Sequence, residues 1–477
     1  MSLHDVQIGP EPIARLSSII GPAAIAAAKE IGERARTRLT DRAVWNVNSA
    51  ATGGGVAEML RSLLPYVRGF GIDARWVVID GTPKFFHVTK RLHHALHGSE
   101  GDGSPLADAE RAIYERVCQT NADELSAVVR PRDIVILHDP QTAGLAPPMA
   151  RLGAIVIWRC HVGADEPNEE VERGWHFLAP YLPELAAAVF SRRQYIPEGF
   201  DRDRSVVIPP SIDPFSPKNQ ELGDDVVRAT LVHTGLIDGH PGGASPTFIR
   251  SDGSPGRVDR RADIIRLGPA PQWETALVVQ VSRWDPLKDP VGLMEGFALL
   301  AERVPLLDAQ LVLGGPNVHA IEDDPESVQT FNEVLERWRA FPHHIRERVH
   351  LASLPMADLE ENGAIVNALQ RHAAIIVQKS LKEGFGLTVT EGMWKSRPVV
   401  ASAVGGIQDQ IVDEVEGLLL PDPTDLDGLA SRLERLLLDS ELRQQLGRRA
   451  HERVKAEFLP LRHLTQYAQL LERVDPR

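Results

Sequence analysis

The sequence predicts an α/β protein of two domains, each built on a parallel sheet. Three observations carry that prediction. Short apolar runs such as Val44–Val47, Ile134–Leu137, Val278–Val281 and Ile375–Val377 alternate with longer helical stretches. That is the pattern of strands buried on both faces. Glycine-rich turns follow two of these runs and open helices: Gly53-Gly54-Gly55 in the first half and Gly384-Phe385-Gly386 in the second. Between the halves stands Pro209-Pro210-Ser211-Ile212-Asp213-Pro214, whose prolines stiffen the chain and mark a boundary.

A chain of 477 residues has room for two or three domains, and an apolar fraction of 43% supports large cores. Acidic residues (66) outnumber basic ones (52), for a formal charge of −14. That balance argues against a nucleic-acid or anionic-membrane binder, although a local basic pocket can still hold a phosphate. Cys118 and Cys160 form no pairing framework, which fits a reducing cytoplasm. The first residues lack a basic segment, and the alanine-rich stretch Ile19–Ile31 is broken by Gly21, Pro22, Lys29 and Glu30. Neither a signal peptide nor a membrane span is expected.

In the first half, residues 1–40 read as helical. Val44–Asn48 is a strand that runs through the glycine triplet into a helix over Val56–Phe70. A helix start behind glycines suits an anion, but the spacing is not GxGxxG and no Walker lysine follows. Arg75–Ile79 is the next strand, and Gly81–Lys90 opens a histidine-rich helix toward His97. His93 and His97 stand at i, i+4 with no third ligand at suitable spacing, so no metal is expected. Residues 100–130 read as a helical pair. The strand Asp133–Leu137 ends in His138-Asp139-Pro140-Gln141, and Ala154–Trp158 ends in Arg159-Cys160-His161. Polar groups just past the carboxyl ends of parallel strands lie where open α/β sheets bind ligands. Asp139 and His161 therefore point at one crevice. Helices at Glu169–Leu178 and Tyr181–Leu185 and strands at Ala187–Phe190 and Val206–Ile208 complete this half.

In the second half, the segment near 235–270 is rich in Gly, Pro, Ser and Asp and reads as a surface insertion. The strand Leu277–Val281 runs into Ser282-Arg283-Trp284-Asp285-Pro286-Leu287-Lys288-Asp289. Arg283 offers a fork of donors and Lys288 a point charge, together a clamp for a diphosphate. Strands follow at Leu311–Leu313 and Val349–Leu354. The chain is organised around the next stretch: strand Ala374–Val377, turn Lys382–Gly386, a helix from Leu387 to Lys395, and strand Val399–Ala401. The helix start presents free N–H groups and the positive end of its dipole. Glu383 and Glu391 frame it, and ionised carboxylates there need partners; sugar hydroxyls serve, since a carboxylate accepts several hydrogen bonds. Asp425–Arg453 is amphipathic helix, and Pro460–Val474 is the last helix.

From the residues alone, the second half is a site for a sugar diphosphate and the first a site for a polyol acceptor. Glycosyl transfer is the activity these predict. A nicotinamide-dependent oxidoreductase is disfavoured by the absence of GxGxxG with an acidic residue about 20 positions on. A catalytically idle sugar-nucleotide binder is disfavoured by the complete set of clamp and acceptor residues.

The Glu383-x7-Glu391 spacing, with Gly-Phe-Gly behind the first glutamate, resembles the donor motif of retaining GT-B glycosyltransferases of family 4. The phrases VNSxxxGGGVAEML, HDPQ, RCH and SRxDxxKD, as they stand here, resemble the trehalose-forming, glycosyl-transferring synthases. So does the phrase around Phe85-Phe86 and Lys90, with His94 where asparagine is usual. The resemblance covers nearly the whole chain outside 215–270 and the N-terminal helix. It implies a GT-B fold, two Rossmann-like domains facing a central cleft. Residues 1–210 would bind the acceptor, with 460–477 packing back on them, and 211–459 would bind the donor.

The resemblance also implies roles. Donor contacts fall on Gly54, Gly55, Arg283, Lys288, Glu383, Gly384, Phe385, Gly386, Leu387 and Thr388, with Leu354 beside the base and Glu391 on the ribose. Acceptor contacts fall on Asn48, Lys90, Asp139, Gln141 and Arg159, and His161 lies at the transferred hexose near its O6. Arg283, Lys288, Glu383, His161 and Asp139 are the implied catalytic set. The implied reaction joins the glucose of a nucleoside-diphosphate glucose to free glucose, reversibly, giving α,α-trehalose. UDP-, ADP- and GDP-glucose stay open as donors. No cofactor and no metal are implied, Arg283 and Lys288 standing in for Mg. Family relatives that form dimers make a homodimer an expectation. The alternatives are a retaining trehalose phosphorylase of the same fold and a family 4 enzyme with another acceptor.

Overall fold

The computed structural model describes residues 3–52, 54–318 and 325–475, so Gly53 of the glycine triplet lies outside the described residues. The chain forms two compact units: Met1–Ser211 with Phe458–Arg477, and Ile212–Glu457.

The first unit holds β1 (His4–Asp5), β2 (Ala43–Asn48), β3 (Asp73–Val78), β4 (Ile134–His138), β5 (Ile155–Cys160), β6 (Ala187–Phe190) and β7 (Ser205–Val207). They form one sheet in the order β1-β3-β2-β4-β5-β6-β7, antiparallel only at β1. Every residue of β2 and β4 is buried, as strands with helices on both faces require. Buried Asp133 ties their starts together: its carboxylate accepts the Ala43 N–H at 3.0 Å, the Trp45 Nε1–H at 3.1 Å and the Arg130 N–H at 3.0 Å. The chain passes from β2 outward to β3 on one side, and β4 lies on the other. Strand order therefore reverses at β2/β4, and the connections leaving these two strands diverge there.

The second unit repeats the plan with β8 (Thr247–Ile249), β9 (Pro255–Arg257), β10 (Asp263–Ile265), β11 (Ala276–Val281), β12 (Ala309–Pro316), β13 (Val349–Leu354), β14 (Ile375–Gln378), β15 (Val399–Ser402) and β16 (Leu418–Leu420). The sheet order is β10-β13-β12-β11-β14-β15-β16, antiparallel only at β10. Its reversal falls between β11 and β14, with Val278 opposite Ile375 and Val279 opposite Ile376. One apolar core runs from Val278, Leu311 and Val377 to Phe297 and Leu433 on the covering helices.

Three local expectations are corrected. Residues 1–40 are not helical throughout: His4–Asp5 pairs with β3, and helix begins only at Ile13, as a 3-10 turn Ile13–Leu16 and a short helix Ser17–Ile20, before the longer helix Pro22–Arg38. Pro10 and Pro12 lack the amide donors a longer helix needs. The stretch 100–130 holds one helix, Asp108–Ser126, because Gly101 and Gly103 adopt φ of 57° and 71° ahead of it. Tyr181–Leu185 is not a second helix; a single 3-10 turn, Ala179–Tyr181, ends the preceding one. The Gly/Pro-rich segment, expected as a surface insertion, carries a hairpin. Its strands β8 and β9 pair, Phe248 is buried, and Arg250 reaches Asp358 at 2.7 Å and Glu360 at 3.1 Å.

The helix Pro460–Val474 contributes Leu470 and Leu471 to the apolar cluster of Val44, Ile134 and Ile157 in the first unit. Beyond it, Asp475 forms a buried ion pair with Arg42 at 2.5 Å. Among the described residues, no helix is long and apolar enough to cross a membrane, and no group of three His, Cys, Asp or Glu side chains could hold a metal ion.

Candidate active site

In the second unit, β11 and β14 are neighbours, so the loops leaving their carboxyl ends lie side by side. Gln280 zips them together. Its Oε1 accepts the Lys379 N–H at 2.9 Å, and its Nε2 donates to the Lys288 carbonyl at 3.0 Å. The Leu381 N–H donates to the Leu287 carbonyl at 2.8 Å. Asp289 caps the helix Pro290–Arg303 through the Gly292 N–H and also pairs with the buried Lys379 ammonium. This framework brings Lys288 Nζ to 2.6 Å from Glu383 Oε2, which also accepts the Ser380 hydroxyl at 3.2 Å. Arg283 is exposed and meets Asp285 at 3.1 Å.

The turn behind Glu383 is shaped by two close approaches. Gly386 takes φ 85° and opens the helix Leu387–Trp394 with no side-chain cap, so Leu387 and Thr388 stand in an uncapped first turn. The Gly406 N–H donates to the Gly384 carbonyl at 3.1 Å, and a Cβ on Gly406 would come within 2.7 Å of the Phe385 Cα. Buried Gln410 closes the loop: its Nε2 donates to the Phe385 carbonyl at 2.5 Å, and its Oε1 accepts the Thr390 hydroxyl. Glu391, one turn into the helix, is buried, with Oε1 3.0 Å from Lys218 Nζ. Leu354 ends β13 with its side chain buried and its carbonyl accepting the Asn317 N–H at 3.0 Å.

In the first unit, the ends of β4 and β5 carry a compact polar cluster. Asp139 holds φ 63°. Its Oδ1 accepts the His161 backbone N–H at 2.8 Å, and its own N–H donates to the Arg159 carbonyl. Burial pushes the Asp139 carboxyl up to about 7, against the lowering effect of the His161 N–H and the Arg159 charge. The rings of His138 and His161 stack with centroids 5.5 Å apart. Burial, with Arg159 beside it, takes His138 down to about 3, and the same causes hold His161 well below the usual imidazole range. Both rings are thus neutral, and their contacts order the protons. His138 Nε2 donates to Asn46 Oδ1 at 3.2 Å, its Nδ1 accepts from His161 Nε2 at 3.2 Å, and His161 Nδ1 faces Arg159 Nε at 3.5 Å.

Two of the expected acceptor residues are buried. Arg159 is wholly buried. Asn48 is buried too, its Oδ1 taken by Trp76 Nε1–H at 2.8 Å and its Nδ2 by the Ala50 carbonyl at 2.6 Å. Both His161 ring nitrogens likewise face protein groups. Asp139 and Gln141 are half-buried, and the Gln141 Oε1 has no hydrogen-bond partner among the described residues. Gly54 and Gly55 are exposed at the start of the helix Gly55–Gly69, and Lys90 is exposed on the helix Pro83–Leu96.

Sequence reasoning missed Lys218, Gln280, Lys379, Gln410 and His138. His138 stands inside the His138–Gln141 motif and could have been found there. Gln410 and Lys218 carry no local pattern, because their partners are distant in sequence.

The fold is that of solved structures of other enzymes. An α,α-trehalose 6-phosphate synthase from Burkholderia multivorans superposes with a TM-score of 0.66 at 16% identity, over 90% of this chain and 96% of that one. A trehalose-6-phosphate structure from E. coli, bound with UDP-2-fluoroglucose, has the same TM-score at 13% identity, over 90% and 98%. Residues 269–453 match the family described as glycosyl transferases group 1. The two Rossmann-like sheets and this match define a glycosyltransferase of the GT-B fold. Residues 46–197 match the N-terminal domain of trehalose synthase. Across the chain, the trehalose synthase of Thermococcus litoralis is 34% identical over 453 residues, 95% of each protein. That of Rubrobacter xylanophilus is 35% identical over 440 residues, 92% of each. A trehalose phosphorylase of Pleurotus pulmonarius is 24% identical, over 86% of this chain and 54% of that protein. The chain belongs to the trehalose synthase family.

Proposed function

We propose that this enzyme transfers glucose from a nucleoside-diphosphate glucose to the anomeric hydroxyl of free glucose, reversibly and with retention, to give α,α-trehalose. The observation that carries the reading is the pairing of Lys288 with Glu383 beside an uncapped helix start. A cation for the leaving diphosphate and a carboxylate for sugar hydroxyls meet at one point. Membership of the trehalose synthase family supports the product. The second unit takes the donor and the first takes the acceptor.

In the reaction, the bond between the donor's C1 and the β-phosphate oxygen breaks, and the acceptor's O1 bonds to C1 on the same face. The acceptor's proton passes to the departing phosphate oxygen. Arg283, Lys288 and the amides at Gly386–Thr388 stabilise the charge that develops there; each such preorganised donor contributes on the order of 3 kcal/mol. Glu383 orients the glucose, Glu391 the ribose, and Leu354 lies beside the base. Asp139 and Gln141 hold the acceptor's hydroxyls, with Lys90 and the Gly54–Gly55 turn close by. Asn48, Arg159 and His161 keep that surface in shape.

Product analysis by NMR tests the reading. The protein is incubated with glucose and, in turn, UDP-, ADP- and GDP-glucose, and in parallel with trehalose and phosphate. An α,α-1,1 anomeric signal with release of nucleoside diphosphate is expected. Glucose 1-phosphate appearing only in the phosphate reaction would overturn it in favour of a phosphorylase.

A further inference from the structure

The segment 216–221 is held from two sides, on its backbone. The Asn367 amide donates to the carbonyls of Pro217 at 3.1 Å and Gln220 at 2.8 Å, and Arg371 adds a second bond to Gln220 at 2.9 Å. From the other side, Trp394 Nε1–H donates to the Asn219 carbonyl at 3.0 Å, and Lys395 Nζ reaches Asn219 Oδ1 at 3.0 Å. The Gln220 side chain exchanges two bonds with Ile249 on the hairpin strand β8. Gly363 allows the close approach: a Cβ there would sit 3.3 Å from the Lys218 backbone nitrogen. A turn so fully bonded delivers one side chain to a defined place. Lys218 Nζ lies 3.0 Å from Glu391 Oε1, and Glu391 is 2% exposed.

A carboxylate this deeply buried needs a charge partner to stay ionised and to keep one orientation. The neighbouring Lys395 is a poor candidate. It is buried, burial pulls its pKa well below the usual lysine range although Glu391 opposes that, and its ammonium is directed at Asn219 and at the Glu391 backbone carbonyl.

We propose that Lys218 is a positioning residue for the donor, holding the Glu391 carboxylate in the one orientation from which it bonds the ribose hydroxyls of the nucleotide. This rests on the reading that the second unit binds a nucleoside-diphosphate glucose. Lys218 itself stays off the reacting atoms, so its loss should weaken donor binding more than turnover.

The test uses the full-length enzyme with its best nucleoside-diphosphate glucose and the 2′-deoxy and 3′-deoxy analogues of that donor. Wild type is expected to prefer the ribose donor. Lys218→Met should raise donor KM about 10- to 100-fold, the range for a lost hydrogen bond to a charged group. It should leave glucose KM and kcat within about twofold. Its preference for ribose over deoxyribose should largely vanish. Lys218→Arg should restore much of that preference. The double variant K218M/E391Q should match E391Q alone, because one residue acts through the other. Equal losses for ribose and deoxyribose donors, or multiplicative losses in the double variant, would overturn the proposal and leave the enzyme's assigned reaction intact. Wild type that turns over no nucleoside-diphosphate glucose would instead overturn the reaction, and this inference with it. If K218M does not fold, the comparison of K218R with E391Q on the same three donors decides the question.

Discussion

Lys288 and Glu383 are 95 residues apart, and their charged ends are 2.6 Å apart. The pair joins the loop after β11 to the loop after β14, across the point where the strand order reverses. Both side chains are largely buried, and Gln280 fixes both loops from below. This framework holds the ammonium and the carboxylate in register. Lys288→Ala is expected to lower kcat about 10²- to 10³-fold, the usual loss for one donor to developing charge. Glu383→Gln keeps the shape and is expected to lower kcat/KM for the donor without unfolding the protein. Steady-state kinetics alongside thermal unfolding checks both.

The turn at Gly384–Gly386 is held by contacts that tolerate no added atoms. A methyl group on Gly406 would meet the backbone at the Phe385 Cα and the Gly384 carbonyl, neither of which can rotate away. Gly406→Ala is therefore expected to cost about 1–3 kcal/mol, the range for overpacking. Gln410→Leu leaves the buried Phe385 carbonyl without its partner and should cost about 1–3 kcal/mol for a lost buried bond. Urea unfolding reads the stability. Nucleoside-diphosphate binding by calorimetry should weaken in both variants, since both move the uncapped helix start.

Asp139 makes stability depend on pH in an unusual sense. Its folded carboxyl titrates near 7, whereas an unfolded aspartate titrates near its model value of 3.8. Between those values the folded protein holds a proton that the unfolded chain has released. Its contribution therefore falls as pH rises from about 4 to 7, and the loss is complete above 7. His138 and His161 act oppositely, since imidazoles held low in the fold favour the native state as pH rises toward 6.5. Asp139→Asn isolates the first effect. Asn can accept the His161 N–H and tolerates positive φ. The stability of the variant relative to wild type is expected to increase from pH 5 to pH 8. Denaturant unfolding at several pH values measures that difference; a flat difference would remove Asp139 as the titrating group.

Much of this enzyme is legible in its sequence because the relevant physics is local. Buried parallel strands announce themselves as apolar runs, so the core of every strand from β2 to β6 and from β11 to β15 was found, with ends displaced by a residue or two. The Gly384–Gly386 turn is readable because the positive φ at Gly386 favours glycine. The Glu383/Glu391 pair and the Arg283/Lys288 loop are readable because each motif lies within a single strand, turn or helix start. The misread segments are those where weak local preferences compete: residues 100–130 hold one helix rather than two, with Gly101 and Gly103 at positive φ ahead of it. In the 235–270 segment, Arg250, Gln220 and buried Phe248 organise a hairpin through partners far away in the chain, which no local pattern announces.

By itself the sequence determined the α/β alternation, the polar and glycine-rich loops at the strand ends in each half, and the charged residues that stand on them. Only the tertiary structure decided which of those residues meet. Strand order is a non-local property: it sets β11 against β14, and so Lys288 against Glu383. It also decided which polar residues are exposed and which are buried. Asn48 and Arg159 stand at the ends of their strands, and the fold buries both. Buried Asn48 finds protein partners in Trp76 and the Ala50 carbonyl, because the water it would otherwise bond is gone.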